Sequence, residues 1–206
     1  MSHLLRRAAT SVAYRVRRRL PGATAELNQL EMLWPPDAEL PPVPVVPTGF
    51  RLRSFRPGDE TAYQRLLDRA GMGSCPLDYW FQHVLPDGFF VIESPQAGQL
   101  AAACFASHQP APRHPYGGNL GWLAADPEFS GRGLGRAATA AVVRRLRSAG
   151  YRRIYLTTDD ARLPALAVYL RMGWVPLLFA DDMRERWENV CQRVRFPFTP
   201  ERWPAA

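Results

Sequence analysis

The residues whose types and spacing suggest chemistry lie in Leu120–Ala137, LGWLAADPEFSGRGLGRA. An apolar run reads as a strand ending at Ala125, Asp126-Pro127 breaks it, and Gly131-Arg132-Gly133-Leu134-Gly135 leads into a helical pattern. Glycines at such a junction free the backbone to curl, so that successive N–H groups point into one concavity. The N-terminus of the following helix adds unpaired donors and a partial positive charge, which together suit a pyrophosphate. Arg132 and Arg136 could add charge-assisted contacts. The turn alone has two other readings: a strand-to-helix connection with no ligand, or a dinucleotide-binding turn. The latter wants a glycine three residues after Gly133, where this chain has Arg136, and too few residues follow Gly135 to complete a long parallel sheet.

Tyr169 is the second candidate. By periodicity it is a core tyrosine on an amphipathic helix with Leu166, Leu170 and Met172. Candidate bases are weaker. His108 and His114 flank the loop before Asn119, and Glu93, Asp159 and Asp160 lie near strand ends. Each reads as an ordinary surface polar residue, so no base is assigned.

Two blocks together are more specific than either alone. Ala125–Ala137 resembles the acetyl-CoA-binding motif of the GNAT superfamily of N-acetyltransferases: Asp126-Pro127-Glu128-Phe129 and Gly131-Arg132-Gly133-Leu134-Gly135 match it position by position. Ser130 departs from it, standing where the family usually has Arg or Gln. Further on, Ala165, Tyr169, Gly173 and Trp174 fall in register with a second family motif, and Arg162 occupies the position of its usual Asn. The resemblance covers about residues 50–180. It implies that the strands ending at Ala125 and near Thr158 splay apart to admit acetyl-CoA as co-substrate. Backbone groups of Leu123, Ala124 and Ala125 would then pair with the pantetheine arm, and Gly131, Arg132, Gly133, Leu134, Gly135 and Arg136 would hold the pyrophosphate. An amine would attack the thioester directly, with Tyr169 as general acid toward the departing thiolate. The departures at Ser130 and Arg162 keep open a non-catalytic acyl-CoA-binding protein.

The elements that must position these residues read as follows. Phe50–Phe55 alternates as a strand, and Pro57-Gly58-Asp59 opens a helix that runs to about Ala70, with Asp59 as N-cap. A helix is predicted over Leu77–Val84, strands over Gly88–Glu93, Gln99–Ser107 and Asn119–Ala125, and a helix over Gly133–Ser148. A strand over Arg153–Thr158, a helix over Pro164–Met172, a last strand over Val175–Phe179 and an amphipathic helix over Asp181–Val194 complete the series. A meander followed by a helix-connected strand pair predicts an α/β (α+β) fold, with a mixed, largely antiparallel central sheet flanked by helices. Trp80, Phe81 and Tyr116 either line an apolar acceptor cleft or belong to the core. Residues 115–118 read as a flexible loop able to close over an acceptor, whose identity these motifs do not encode.

At 206 residues and 47% hydrophobic content, the chain is long enough for one domain with appendages. Residues 1–48 read as a basic N-terminal arm and a proline-rich strap (Pro35, Pro36, Pro41, Pro42, Pro44, Pro47), 49–196 as the acyltransferase domain, and 197–206 as a tail. Residues 1–22 carry an arginine-rich, acid-free amphipathic pattern, open to a packing arm, a membrane or nucleic-acid contact, or a targeting peptide. Through that arm the chain could alternatively act as a membrane- or nucleic-acid-associated regulator. The net charge of +7 is carried by arginine alone, and the absence of lysine excludes Walker A loops and Schiff-base catalysis. Cys75, Cys104 and Cys191 form neither a CxxC pair nor a disulfide framework, which suits a reducing cytoplasm, and no metal is expected. No apolar stretch approaches the ~20 residues needed to cross a bilayer.

Overall fold

The computed structural model describes residues 28–96 and 98–205, so the basic stretch 1–22 lies outside the described residues. Seven strands form one sheet: β1 (Leu30–Trp34), β2 (Arg51–Ser54), β3 (Val84–Glu93), β4 (Leu100–His108), β5 (Gly118–Ala125), β6 (Ile154–Thr158) and β7 (Val175–Pro176). Their spatial order is β2-β3-β4-β5-β6-β1-β7, and every pairing is antiparallel except β5 with β6. The sheet is therefore mixed and largely antiparallel, as the order of elements predicts.

Helices cover both faces. α1 (Glu60–Arg69) and α2 (Leu77–Phe81) lie on one side, where Tyr63, Leu66, Leu67 and Trp80 pack with Phe89, Ala103, Phe105 and Ala124. On the other side, α3 (Leu134–Ser148), α4 (Leu163–Met172) and α5 (Met183–Val194) enclose a larger core that includes Leu120, Leu134, Val142, Leu146, Leu166, Tyr169 and Trp187. Alanines 137, 138, 140 and 141 are all buried, and their small side chains let α3 lie close across β3, β4 and β5. β4 is buried on both faces from Leu100 to Ser107, which explains its continuous run of small and apolar residues.

Two boundaries differ from the sequence reading. The compact domain does not begin near Phe50: Leu30–Trp34 forms strand β1, wholly buried between β6 and β7. This strand escapes periodicity because it carries Glu31 and runs directly into Pro35-Pro36, whereas its partners lie more than a hundred residues away. Residues 197–205 are no loose tail either. Trp203 packs on Trp187 and Phe198, and Ala205 bridges to Leu178. In addition, α2 ends at Phe81 and β3 begins at Val84, four residues early, through an irregular stretch in which Asp87 takes a positive φ. Residues 35–49 cross α3, where Arg144 donates to the Pro41 carbonyl at 2.8 Å and Arg147 to that of Pro36.

Candidate active site

The site begins with a bulge. β4 and β5 pair as Phe105↔Gly121 and then as Ala103↔Ala124, so β5 holds one extra residue between these pairs. Trp122 takes φ +53° there, and Leu123 has no Cα partner on β4. Gly121 is demanded by packing: a Cβ on it would collide with the Phe105 ring. A bulge bends the strand that carries it, and the ladder between β5 and β6 stops short of this one. The two parallel strands pair only at Gly118↔Ile154 and Asn119↔Tyr155, and beyond those pairs a slot opens between Leu120–Ala125 and Leu156–Thr158.

At the open end β5 runs into the glycine turn. Asp126 is buried, its backbone N–H donates to Ala101, and its carboxylate accepts from the Glu128 amide at 3.0 Å, from Gln99 at 3.2 Å and from Arg69. Burial works to raise the Asp126 carboxyl, but these donors outweigh it and hold the group below the usual carboxylate range. A 3-10 turn over Pro127–Phe129 follows, with the Phe129 ring edge-on to Phe50. Gly131 and Gly133 take φ +77° and +75°, so the chain reverses into α3 with Gly133 at the N-cap. Among the described residues, no protein oxygen accepts from the successive amides of Gly131, Arg132, Gly133, Leu134, Gly135 and Arg136. The Leu134 side chain is buried and anchors the turn, whereas Arg132 and Arg136 are exposed beside it. Of the strand residues named from sequence, Leu123 is half-buried, Ala124 buried and Ala125 exposed.

Tyr169 enters from α4 and is 4% exposed. Burial pushes its hydroxyl well above the ordinary tyrosine range, Cys104 pushes it further, and Arg162 opposes both. Cys104 lies on β4 opposite the bulge and donates through Sγ to the Gly121 carbonyl at 3.4 Å. The phenol is thus kept protonated at neutral pH.

The candidate bases are engaged elsewhere. Glu93 pairs with Arg53, Asp160 with Arg186, and Asp159 with Gln29 and Arg162. His108 contacts the Tyr151 hydroxyl at the closed end of β5. His114 is not a surface residue, as its sequence context suggests, but is 1% exposed and saturated. Arg153 Nε donates to its Nδ1 at 3.0 Å, so the ring proton sits on Nε2, which donates to Glu31 at 2.9 Å. Its ring stacks on Tyr155 at 3.9 Å, and Arg113 adds hydrogen bonds to Glu31. Burial works to raise the Glu31 carboxyl, but the bonds from His114 and Arg113 outweigh it and hold the group below its ordinary value. This network pins residues 109–117 to β1 and β6, so the loop is anchored rather than a free flap, although Tyr116 at its tip is 81% exposed. Trp80 is a core residue against Phe105, and Phe81 is half-exposed on Phe55. Sequence reasoning missed the Glu31–His114 network because its members are 83 residues apart.

With slot, turn and tyrosine in place, comparison with known proteins decides the family. The model of the Acetyltransferase (GNAT) family matches residues 53–174. The chain belongs to the GNAT acetyltransferase family. Members of this family use acetyl-CoA as co-substrate. Similar proteins include the mycothiol acetyltransferase of Streptomyces bingchenggensis, 32% identical over 179 residues that cover 80% of this chain and 55% of the relative. The mycothiol acetyltransferase of Saccharomonospora viridis is 31% identical over 151 residues, covering 65% and 48% respectively. This GNAT chain thus spans about half the length of the curated relatives it matches. The fold is shared with a GCN5-related N-acetyltransferase from Sphaerobacter thermophilus, with TM-score 0.53 and 24% identity over 73% of this chain and 49% of that one. Among the described residues of this GNAT domain, no cluster of three His, Cys, Asp or Glu could hold a metal, and no helix is long and apolar enough to cross a membrane.

Proposed function

We propose that this chain is an acetyl-CoA-dependent N-acetyltransferase that moves an acetyl group from coenzyme A to an amine by direct attack. The observation that carries this reading is the slot between β5 and β6, which ends at six successive amides with no acceptor among the described residues. An extended pantetheine arm laid along Leu123, Ala124 and Ala125 would add to β5 as a further strand. An N–H on that edge would polarise the thioester carbonyl and stabilise the tetrahedral oxyanion. The amides of 131–136, with Arg132 and Arg136, would take the pyrophosphate at the mouth of α3.

Tyr169 would give its proton to the departing thiolate. Free thiols titrate near ~8.5 and tyrosine near ~10, and burial raises this tyrosine further, so it stays a donor. None of the engaged carboxylates is assigned as base; the amine would lose its proton through solvent in the slot. The relatives are named for mycothiol, so a mycothiol-related amine is the first acceptor to test. A reducing cytoplasm suits the three cysteines, all buried and unpaired.

Acetyl-CoA titrated against the full chain should raise its melting temperature in proportion to the logarithm of concentration, as a ligand selective for the native state must. A melting temperature that ignores acetyl-CoA, with no acetyl transfer to any amine, would remove the proposal.

A further inference from the structure

Arg162 stands at the N-cap of α4, between the end of β6 and the helix that carries Tyr169. Four and seven residues along a helix come close to one and two full turns, so positions 162, 166 and 169 share a face. Leu166 and Tyr169 on that face are buried, and Arg162 heads the face four residues after β6 ends at Thr158, the end at which β6 no longer pairs with β5. The guanidinium is largely uncommitted. Its one ion pair among the described residues is a 3.5 Å contact from Nε to Asp159, whose other oxygen accepts from Gln29. The charge of Arg162 reaches the Tyr169 hydroxyl, where it opposes the effect of burial. Capping does not explain the residue. Arg162 makes no side-chain cap bond to α4, whereas asparagine is among the residues best suited to an N-cap.

Resting on the acyl-transfer reading above, we propose that Arg162 is the cation that stabilises the coenzyme A thiolate as it leaves. The amine nitrogen bonds to the acetyl carbon, the carbon–sulfur bond breaks with its electron pair kept on sulfur, and the proton lost by the amine passes to solvent. The sulfur takes the Tyr169 proton, and Tyr169 recovers one from solvent. Until that transfer is complete the slot holds an anion in a partly desolvated setting, where a nearby guanidinium lowers its energy. Arg162 therefore stabilises the leaving group and keeps Tyr169 able to give up its proton.

The test needs no acceptor. In the complex of the full chain with coenzyme A, the thiol is titrated by the ultraviolet absorbance of its thiolate, with the desulfo-coenzyme A complex as blank. Burial pushes Cys75 up to about 12 and Cys191 up to about 11, and Cys104 well above an ordinary thiol, so the protein's own cysteines stay silent. The bound thiol should titrate about one pH unit or more below the free value of ~8.5. Arg162→Asn should return it toward that value with coenzyme A affinity unchanged and melting temperature equal or higher, and Arg162→Lys should keep the low midpoint. A midpoint that Arg162→Asn leaves in place overturns the inference while the acyl-transfer reading stands. Loss of coenzyme A binding in Arg162→Asn also overturns it, in favour of a phosphate contact. Failure of the unsubstituted chain to bind coenzyme A removes both readings.

Discussion

Arg69, in the last turn of α1, donates to the buried Asp126 carboxylate and so ties the end of β5 to the face of the sheet that α1 and α2 cover. The same carboxylate caps the turn that leads to the glycines. Helix α1 and the glycine turn are coupled through one side chain. Asp126→Asn keeps the shape but removes the charge that Arg69 and the Glu128 amide require. It should cost about 1–3 kcal/mol in urea denaturation and weaken acetyl-CoA binding by calorimetry. A stability loss with unchanged affinity would show that the turn is held by its glycines alone.

Acid stability should follow from the same group and two others. Asp126, Asp59 and Glu31 all have carboxyls held below their ordinary values: burial raises each, but hydrogen bonds outweigh it. The donors to Asp59 are chiefly the bidentate Arg53 guanidinium, at 2.6 and 2.8 Å, and the Arg56 amide. A group whose pKa is lower in the folded than in the unfolded chain contributes its full stabilisation above the unfolded value, near ~4, and loses it as pH falls through the folded value. The urea midpoint should therefore hold level from neutral pH to about 5 and drop steeply below about 4. Asp59→Asn should start lower and fall less steeply over that acid range.

Arg136 offers a way to separate folding from ligand binding. It is exposed in the first turn of α3, which holds no acidic residue. A positive charge there opposes the helix dipole, so Arg136→Glu should stabilise the fold by about 0.3–1 kcal/mol. The same change sets a carboxylate beside the amides proposed for the pyrophosphate. The affinity for acetyl-CoA should fall by about tenfold or more, which is the effect of losing one charge-assisted contact. A variant that melts higher and binds acetyl-CoA as before would move the phosphate site elsewhere.

Much of this was legible in the chain because local signals coincided. Gly131 and Gly133 needed positive φ where the strand broke, and Ala165, Tyr169 and Gly173 sat at helical spacing behind them. The slot itself was not legible from periodicity. It depends on one extra residue in β5, with Trp122 in a conformation few side chains adopt, and on the fit of Gly121 beneath the Phe105 ring. Strand β1 was hidden for a different reason. Glu31 in its middle looks like a surface residue until His114 and Arg113 arrive from another part of the chain to donate hydrogen bonds to it.

That arrangement makes Glu31 the most demanding single site in the β1 half of the sheet. Removing its charge would weaken its hold on the Arg113 guanidinium, which stays partly solvated, and leave the His114 Nε2 proton facing a neutral amide. Glu31→Gln should cost about 1–3 kcal/mol, the usual result of weakening the bonds of a buried polar group. Amide hydrogen exchange should quicken first in β1 and in residues 109–117. Uniform loss of protection across the sheet, including β2 and β3, would argue against a local clamp.

Tyr169→Phe tests the chemistry without disturbing the packing. The ring keeps its place between Leu166, Leu170 and Trp174, and the hydroxyl that is lost is a buried polar group, so stability should be unchanged or slightly higher. What disappears is the proton donor proposed for the departing thiolate. With a reactive amine identified, kcat should fall about 10²–10⁴-fold, the usual contribution of a positioned general acid, and the KM for acetyl-CoA should stay the same. The split matters, because a merely structural tyrosine would change both constants or neither. If kcat survives the substitution at full value across the pH range, the thiolate must leave without help from this phenol.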